Sequence, residues 1–127
     1  MSEAVTRGVR VRVEAHFDPD RSHAQRNLFF FLYSVEIANQ GRETVQLLSR
    51  HWLITDGTGR VQEVRGAGVV GKQPRLEAGQ TFRYTSGCPL STPMGSMRGS
   101  YQMVTDGGTH FDAEIASFDL IQPHAIH

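Results

Sequence analysis

The sequence predicts an all-β fold, an immunoglobulin- or fibronectin type III-like sandwich of two antiparallel sheets with about seven strands. Three observations predict it. Apolar residues recur with period two, turn-forming residues punctuate the chain at short intervals, and no segment carries the 3.6-residue period of an amphipathic helix. With 127 residues the chain is expected to form one domain over 1–127, with loose termini at 1–6 and 122–127. A chain of that size buries roughly two thirds of its unfolded surface, enough for one apolar core.

The first strand is the plainest. Val9, Val11, Val13, Ala15 and Phe17 fall on one side, and Arg10, Arg12, Glu14 and His16 on the other. Asp18-Pro19-Asp20 ends it, and a polar loop runs to Asn27. Leu28 to Ala38 is rich in aromatic and branched residues and predicts a central strand buried on both faces. The turn at 39–42 leads to a strand over Thr44–Thr55. Asp56-Gly57-Thr58-Gly59 then signals a hairpin into Arg60–Arg65. Beyond the glycine-rich segment 66–71, Glu77-Ala78-Gly79 precedes a strand over Gln80–Ser86, and residues 87–99 predict a long irregular loop. Ser100–Thr105 and His110–Ile121 are the last strands. In the latter, Phe111, Ala113 and Ile115 share one phase and Phe118 and Leu120 the other, a slip that predicts a β-bulge near Ala116-Ser117.

Composition excludes several classes. Thirteen basic residues balance thirteen acidic ones, which argues against a nucleic-acid binder. The balance is uneven along the chain. Residues 57–105 carry six basic side chains against Glu63 and Glu77, and residues 106–127 carry four acidic ones and no Lys or Arg. If folding keeps these segments apart, the surface has a basic end. Cys88 alone excludes an intrachain disulfide and a thiolate zinc site. The longest apolar run, Leu28–Tyr33, is too short to span a bilayer, and Met1-Ser2-Glu3-Ala4 has no signal-peptide character. A cytoplasmic protein without membrane insertion is expected.

From Ser49 the chain reads SRHWLITDGTGRVQEVRGAGVVGKQPRLEAGQTFRYTSGCPLSTPMGSMRGSYQM. Its elements HW.I.D..G, G.GVVG..P.L..G..F.Y.SG and T..G.M.G.Y.M, in that order, resemble the ApaG family, and the likeness covers nearly the whole chain. The resemblance implies a fibronectin type III-like sandwich and a link to cobalt and magnesium resistance or efflux. It also implies a partner-binding module, since the same domain occurs in an F-box protein and in a polymerase-delta-interacting protein. It implies no reaction.

Gly66-Ala67-Gly68-Val69-Val70-Gly71 fits G-x-G-x-x-G. A dinucleotide site also needs a helix directly after the loop and an acidic residue about 20 positions on. Lys72-Gln73-Pro74 follows instead, and 78–105 holds no carboxylate, so a Rossmann site is excluded. A looser nest for pyrophosphate or a nucleotide phosphate remains, built on Gly66, Gly68 and Gly71 with Lys72 and Arg75 nearby. The plain alternative is a strand connection with Val69 and Val70 packed inward.

His110, Asp112 and Glu114 share one face of the last strand. Successive same-face positions lie roughly 7 Å apart, too wide for all three to close on one small ion, so only a loose divalent-cation site is conceivable. The tail residues His124 and His127 could add weak ligands. Cys88 has no protease signature around it, and no G-x-S-x-G elbow occurs, so no enzyme and no cofactor are expected. Trp52 and Phe29-Phe30-Phe31 are most simply core. Met94, Met97 and Arg98 on an irregular loop, with Tyr101 and Met103 just beyond it, have the composition of a surface for an unidentified protein partner. The alternative is that the Met residues cap the core. An interaction domain using the 66–72 and 94–101 loops is the leading expectation.

Overall fold

The structure, a computed structural model, describes residues 1–123; His124 and His127 and the end of the tail lie outside them. Among the described residues nine strands form two antiparallel sheets. The first sheet has the order β1 (Ser2–Thr6), β2 (Val9–Phe17), β3 (Phe29–Asn39), β7 (Thr81–Leu90). The second runs β5 (Val61–Ala67), β4 (Val45–Asp56), β8 (Met94–Thr105), β9 (His110–Ile121), with the two-residue β6 (Arg75–Leu76) on β4 beyond the end of β5. Apart from β1 and β6 this is the fibronectin type III-like sandwich that the strand pattern predicts. Two 3-10 turns, 19–21 and 24–26, are the helical elements among the described residues. Among the described residues no helix is long and apolar enough to cross a membrane.

Three expectations need correction. Residues 2–6 form a paired strand, because their backbone completes a ladder along β2 from Ser2–Val13 to Thr6–Val9. The stretch 87–99 is almost entirely strand, since β7 runs to Leu90 and β8 begins at Met94. Glycine, proline and serine there suit close strand approach, and at Gly95 and Gly99 an added Cβ would meet a β4 carbonyl oxygen at 2.4 and 2.0 Å. Strand β3 is central but buried on one face: Phe29, Phe31, Tyr33, Val35 and Ile37 point inward, whereas Ser34 is exposed and Phe30, Leu32 and Glu36 are half-buried.

Inward residues of both sheets interdigitate, with Val11, Phe31, Ile37, Leu47, Tyr101, Met103 and Leu120 all at 0% exposure. Burying one such side chain contributes roughly 1.5–3 kcal/mol. Two bulges adjust the phase. In β9, Met97 pairs with Phe118 and Gly99 with Ile115, so Ala116 and Ser117 together oppose Arg98 where the bulge is expected. In β4, the register slips between Leu47 and Ser49 and leaves Leu48 unmatched. That second slip reverses the alternation, putting Arg50 and Ile54 on the same inner side as Trp52.

On the outer face of the first sheet, Glu36 sits between Arg10 and Arg83, whose Nε is 3.1 Å away. Partial burial pushes its carboxyl up, but the hydrogen bond from Arg10 and the charge of Arg83 outweigh it and hold the pKa below the ordinary value. A carboxylate depressed on folding stabilises above its unfolded pKa, about 4.3, and that stability is lost as pH falls through the folded value. The urea midpoint should therefore drop below about pH 4, and Glu36→Gln should flatten part of that limb. An unchanged limb in the variant would show that the Arg10–Glu36–Arg83 network contributes nothing.

The lateral edges of the sandwich differ. On one side β9 packs closely against β1 and β2, and the outer amide of Glu114 donates to Thr6 Oγ1 at 3.0 Å. On the other, β5 and β7 make no comparable approach, and a groove opens between them.

Candidate functional site

The glycine segment is a strand end and a tight turn. Gly66 lies within β5, opposite Arg50. Gly68, Val70 and Gly71 have φ of +61°, +44° and +77°, and Val69 and Lys72 exchange both backbone hydrogen bonds, at 2.8 and 2.9 Å. Positive φ at the two central residues is what a type I′ turn requires. The amides of Gly68, Val69 and Lys72 are thus donated within the protein, Gly68 N–H to the bulge carbonyl of Leu48 at 2.9 Å. Val69 is buried as the connection alternative has it, but Val70 is 55% exposed. Arg75 is held by both carboxylate oxygens of Asp106 at 2.7 Å, and Lys72 is exposed. A β-branched residue in the left-handed region is strained. Val70→Asn, which creates the Asn-Gly pair favoured by such turns, should raise stability by about 1 kcal/mol in a urea titration.

The methionine group divides differently from its loop expectation. Met97 and Tyr101 are 1% and 0% exposed core residues of β8. Met94 is half-buried at the strand start, and Arg98 is exposed on the outer face. They do not form one surface, because β8 is a central strand whose alternate residues enter the core. His110, Asp112 and Glu114 are exposed on β9, and no three His, Cys, Asp or Glu side chains among the described residues come together as a metal cluster. The basic and acidic segments are not kept apart either: β9 lies along β8, and Arg75 pairs with Asp106. Cys88 is 3% exposed, and burial pushes its thiol up to about 11, far from an activated nucleophile.

What sequence reasoning missed is the open edge between β5 and β7. A cleft of about 260 Å³ there has apolar walls from Ile54, Val64, Pro89 and Met97, and polar groups from Tyr33, Arg50, Trp52, Gln62 and Ser86. It continues past Ile54, Gln62 and Pro89 into a neighbouring groove of about 360 Å³ bordered by Leu28, Asp56 and Arg60. Arg50 reaches across the strand end, its Nη1 donating to the carbonyls of Ala67 at 3.0 Å and Gly68 at 2.8 Å. Gly66 makes room for it, since a Cβ there would lie 2.7 Å from Arg50 Nη2. Trp52 packs edge-on against Tyr33, Tyr101 and Phe118, and its Nε1–H has no hydrogen-bond partner.

The ApaG domain model matches residues 19–105, which spans the 3-10 turns through the end of β8. The chain belongs to the ApaG family. It is 59% identical over 124 residues to Protein ApaG of Methylorubrum extorquens, covering 98% of this chain and 95% of the relative. It is 53% identical over 123 residues to Protein ApaG of Bradyrhizobium diazoefficiens, at 97% and 95% coverage. Among solved structures, a Bordetella pertussis protein described as ApaA superposes with TM-score 0.89 at 50% identity, covering 92% of this chain and 95% of that one. The C-terminal domain of wzt shares only the fold, at TM-score 0.57 and 10% identity over 98% of this chain and 79% of that one. This ApaG chain therefore carries the sandwich of its family, and the β5–β7 edge is its candidate site.

Proposed function

We propose that this ApaG chain is a non-enzymatic interaction domain whose protein partner lays an extended segment in the groove between β5 and β7. The carrying observation is the asymmetry of the sandwich: one lateral edge is closed by β9 against β1 and β2, and the other leaves two strand edges unpaired beside a groove. Unpaired N–H and C=O groups on a strand edge can receive another strand, and alternate side chains of that strand can then fill pockets. Leu28 beside the groove, at 36% exposure, and the half-buried Val64 on its wall add apolar contact. The link to cobalt and magnesium handling that the family implies would run through that partner.

Photo-crosslinking from two positions tests the proposal. A benzophenone amino acid replacing Gln62, an exposed residue of β5 that lines the groove, should capture a protein in cells, whereas the same group replacing Thr85, on the outer face of the first sheet, should capture none. The reverse pattern would contradict it.

A further inference from the structure

We infer that the free edge of β5 pairs with the β5 edge of a second copy of this chain, antiparallel and about a two-fold axis at Val64. The inference uses the sequence of the edge itself and does not depend on the groove proposal.

Hydrogen bonding to β4 fixes which β5 groups are free. Asp56 N–H donates to the Arg60 carbonyl at 3.0 Å and Gly68 N–H to the Leu48 carbonyl at 2.9 Å, so the even-numbered residues between Arg60 and Gly68 bond to β4. The backbone groups of Val61, Glu63, Arg65 and Ala67 therefore point away from the sheet, and no strand pairs with them among the described residues. Their side chains are exposed too, Val61 at 57%. An edge with neither proline nor bulge is a template for another strand. The β7 edge is a poorer one. Asn39 N–H donates to the Gln80 carbonyl, so by the same alternation Pro89 stands at an outward position, where it has no N–H to give.

The charges select both the occupant and the register. An antiparallel neighbour sets outward residues opposite outward residues. Two copies that overlap along most of β5 can meet this condition with Glu63 facing Glu63, with Arg65 facing Arg65, or with Glu63 of each copy facing Arg65 of the other. Like charges directly opposite destabilise a strand pair and opposite charges stabilise it, so the third register wins. It also sets the exposed Val61 beside Ala67 on the outer face and brings the two Val64 side chains together on the inner one. Within one chain Glu63 meets His51 at 3.0 Å and Arg65 Nε at 3.4 Å, which leaves the Nη groups of Arg65 for the Glu63 of the other copy. A seven-residue strand is a small contact, so the dissociation constant should be on the order of 0.1–1 mM. At micromolar concentration the edge stays open to other strands.

NMR diffusion of the full chain from about 0.05 to about 2 mM reads the association. Diffusion should slow as concentration rises, with amide shifts concentrated at Val61, Glu63, Arg65 and Ala67. Glu63→Arg and Arg65→Glu are exposed changes, and each should weaken the association about tenfold or more, because each sets like charges opposite. An equimolar mixture of the two variants should restore it, since every facing pair is then Arg against Glu. A parent chain that diffuses as a monomer throughout would overturn the inference. So would single variants that associate as the parent does, or a mixture that stays monomeric. The sample holds this chain alone, so the result is separate from the groove proposal. Self-association with no partner captured from Gln62 in cells keeps this inference and fails the groove; a captured partner with a monomeric chain does the reverse.

Discussion

Gly99→Ala should cost more than about 3 kcal/mol, a large fraction of the roughly 5–15 kcal/mol that holds a domain folded, and the urea midpoint should fall in proportion. Gly99 pairs with Trp52 across β4 and β8, the central pair of the second sheet. A Cβ there would lie 2.0 Å from the His51 carbonyl oxygen and 3.2 Å from Trp52 Cα. Both obstacles are backbone, so no side chain can rotate away and the two strands would have to part. Overpacking of a side-chain core usually costs about 1–3 kcal/mol, and loss of ladder bonds adds to it here. A circular-dichroism melt of the variant within a few degrees of the parent would refute this account of the β4–β8 contact.

The second large effect is Trp52→Ala, at about 3–5 kcal/mol in the same measurement. Trp52 has ring centroids 5.4, 6.3 and 5.9 Å from Tyr33, Tyr101 and Phe118, so it joins β3, β8 and β9 at one point. Removing it leaves a cavity among rings that cannot collapse independently. Trp52→Phe keeps most of the packing and deletes the unpartnered Nε1–H, and should cost less than half as much. The pair separates packing from the polar group: Trp52→Phe should remain folded without the indole N–H. Equal losses in the two variants would mean that the indole N–H is satisfied within the protein.

Much of the fold was legible because burial follows the period-two pattern closely. Val9, Val11 and Val13 alternate in sequence and are buried in the structure, and the phase change at Ala116-Ser117 marks a real bulge. The exceptions have physical causes. Pairing of residues 2–6 depends on a partner strand, β2, that also needs them to cover its edge, and that information is tertiary. The segment 87–99 carries loop-like residues because strand approach at Gly95 and Gly99 leaves no room for side chains. The candidate site was the least legible part. Arg50 reads as an outward charge in a simple alternation and turns inward only because Leu48 is skipped, and no local signal announces that slip. The glycines of 66–71 look like a phosphate loop, yet Gly66 clears space for Arg50 and Gly71 serves the turn. Met97 and Tyr101 lost their surface role once β8 proved to be a strand, since its alternation carries both into the core.

The central claim is that the open β5–β7 edge, and not the closed β1–β9 edge, receives the partner. Amide hydrogen exchange on the protein with and without a display-selected peptide tests it most directly. Protection should increase along the outward amides of β5 and β7 and stay unchanged along β1 and β9. New protection at β1 and β9, with β5 and β7 unaffected, would contradict the account.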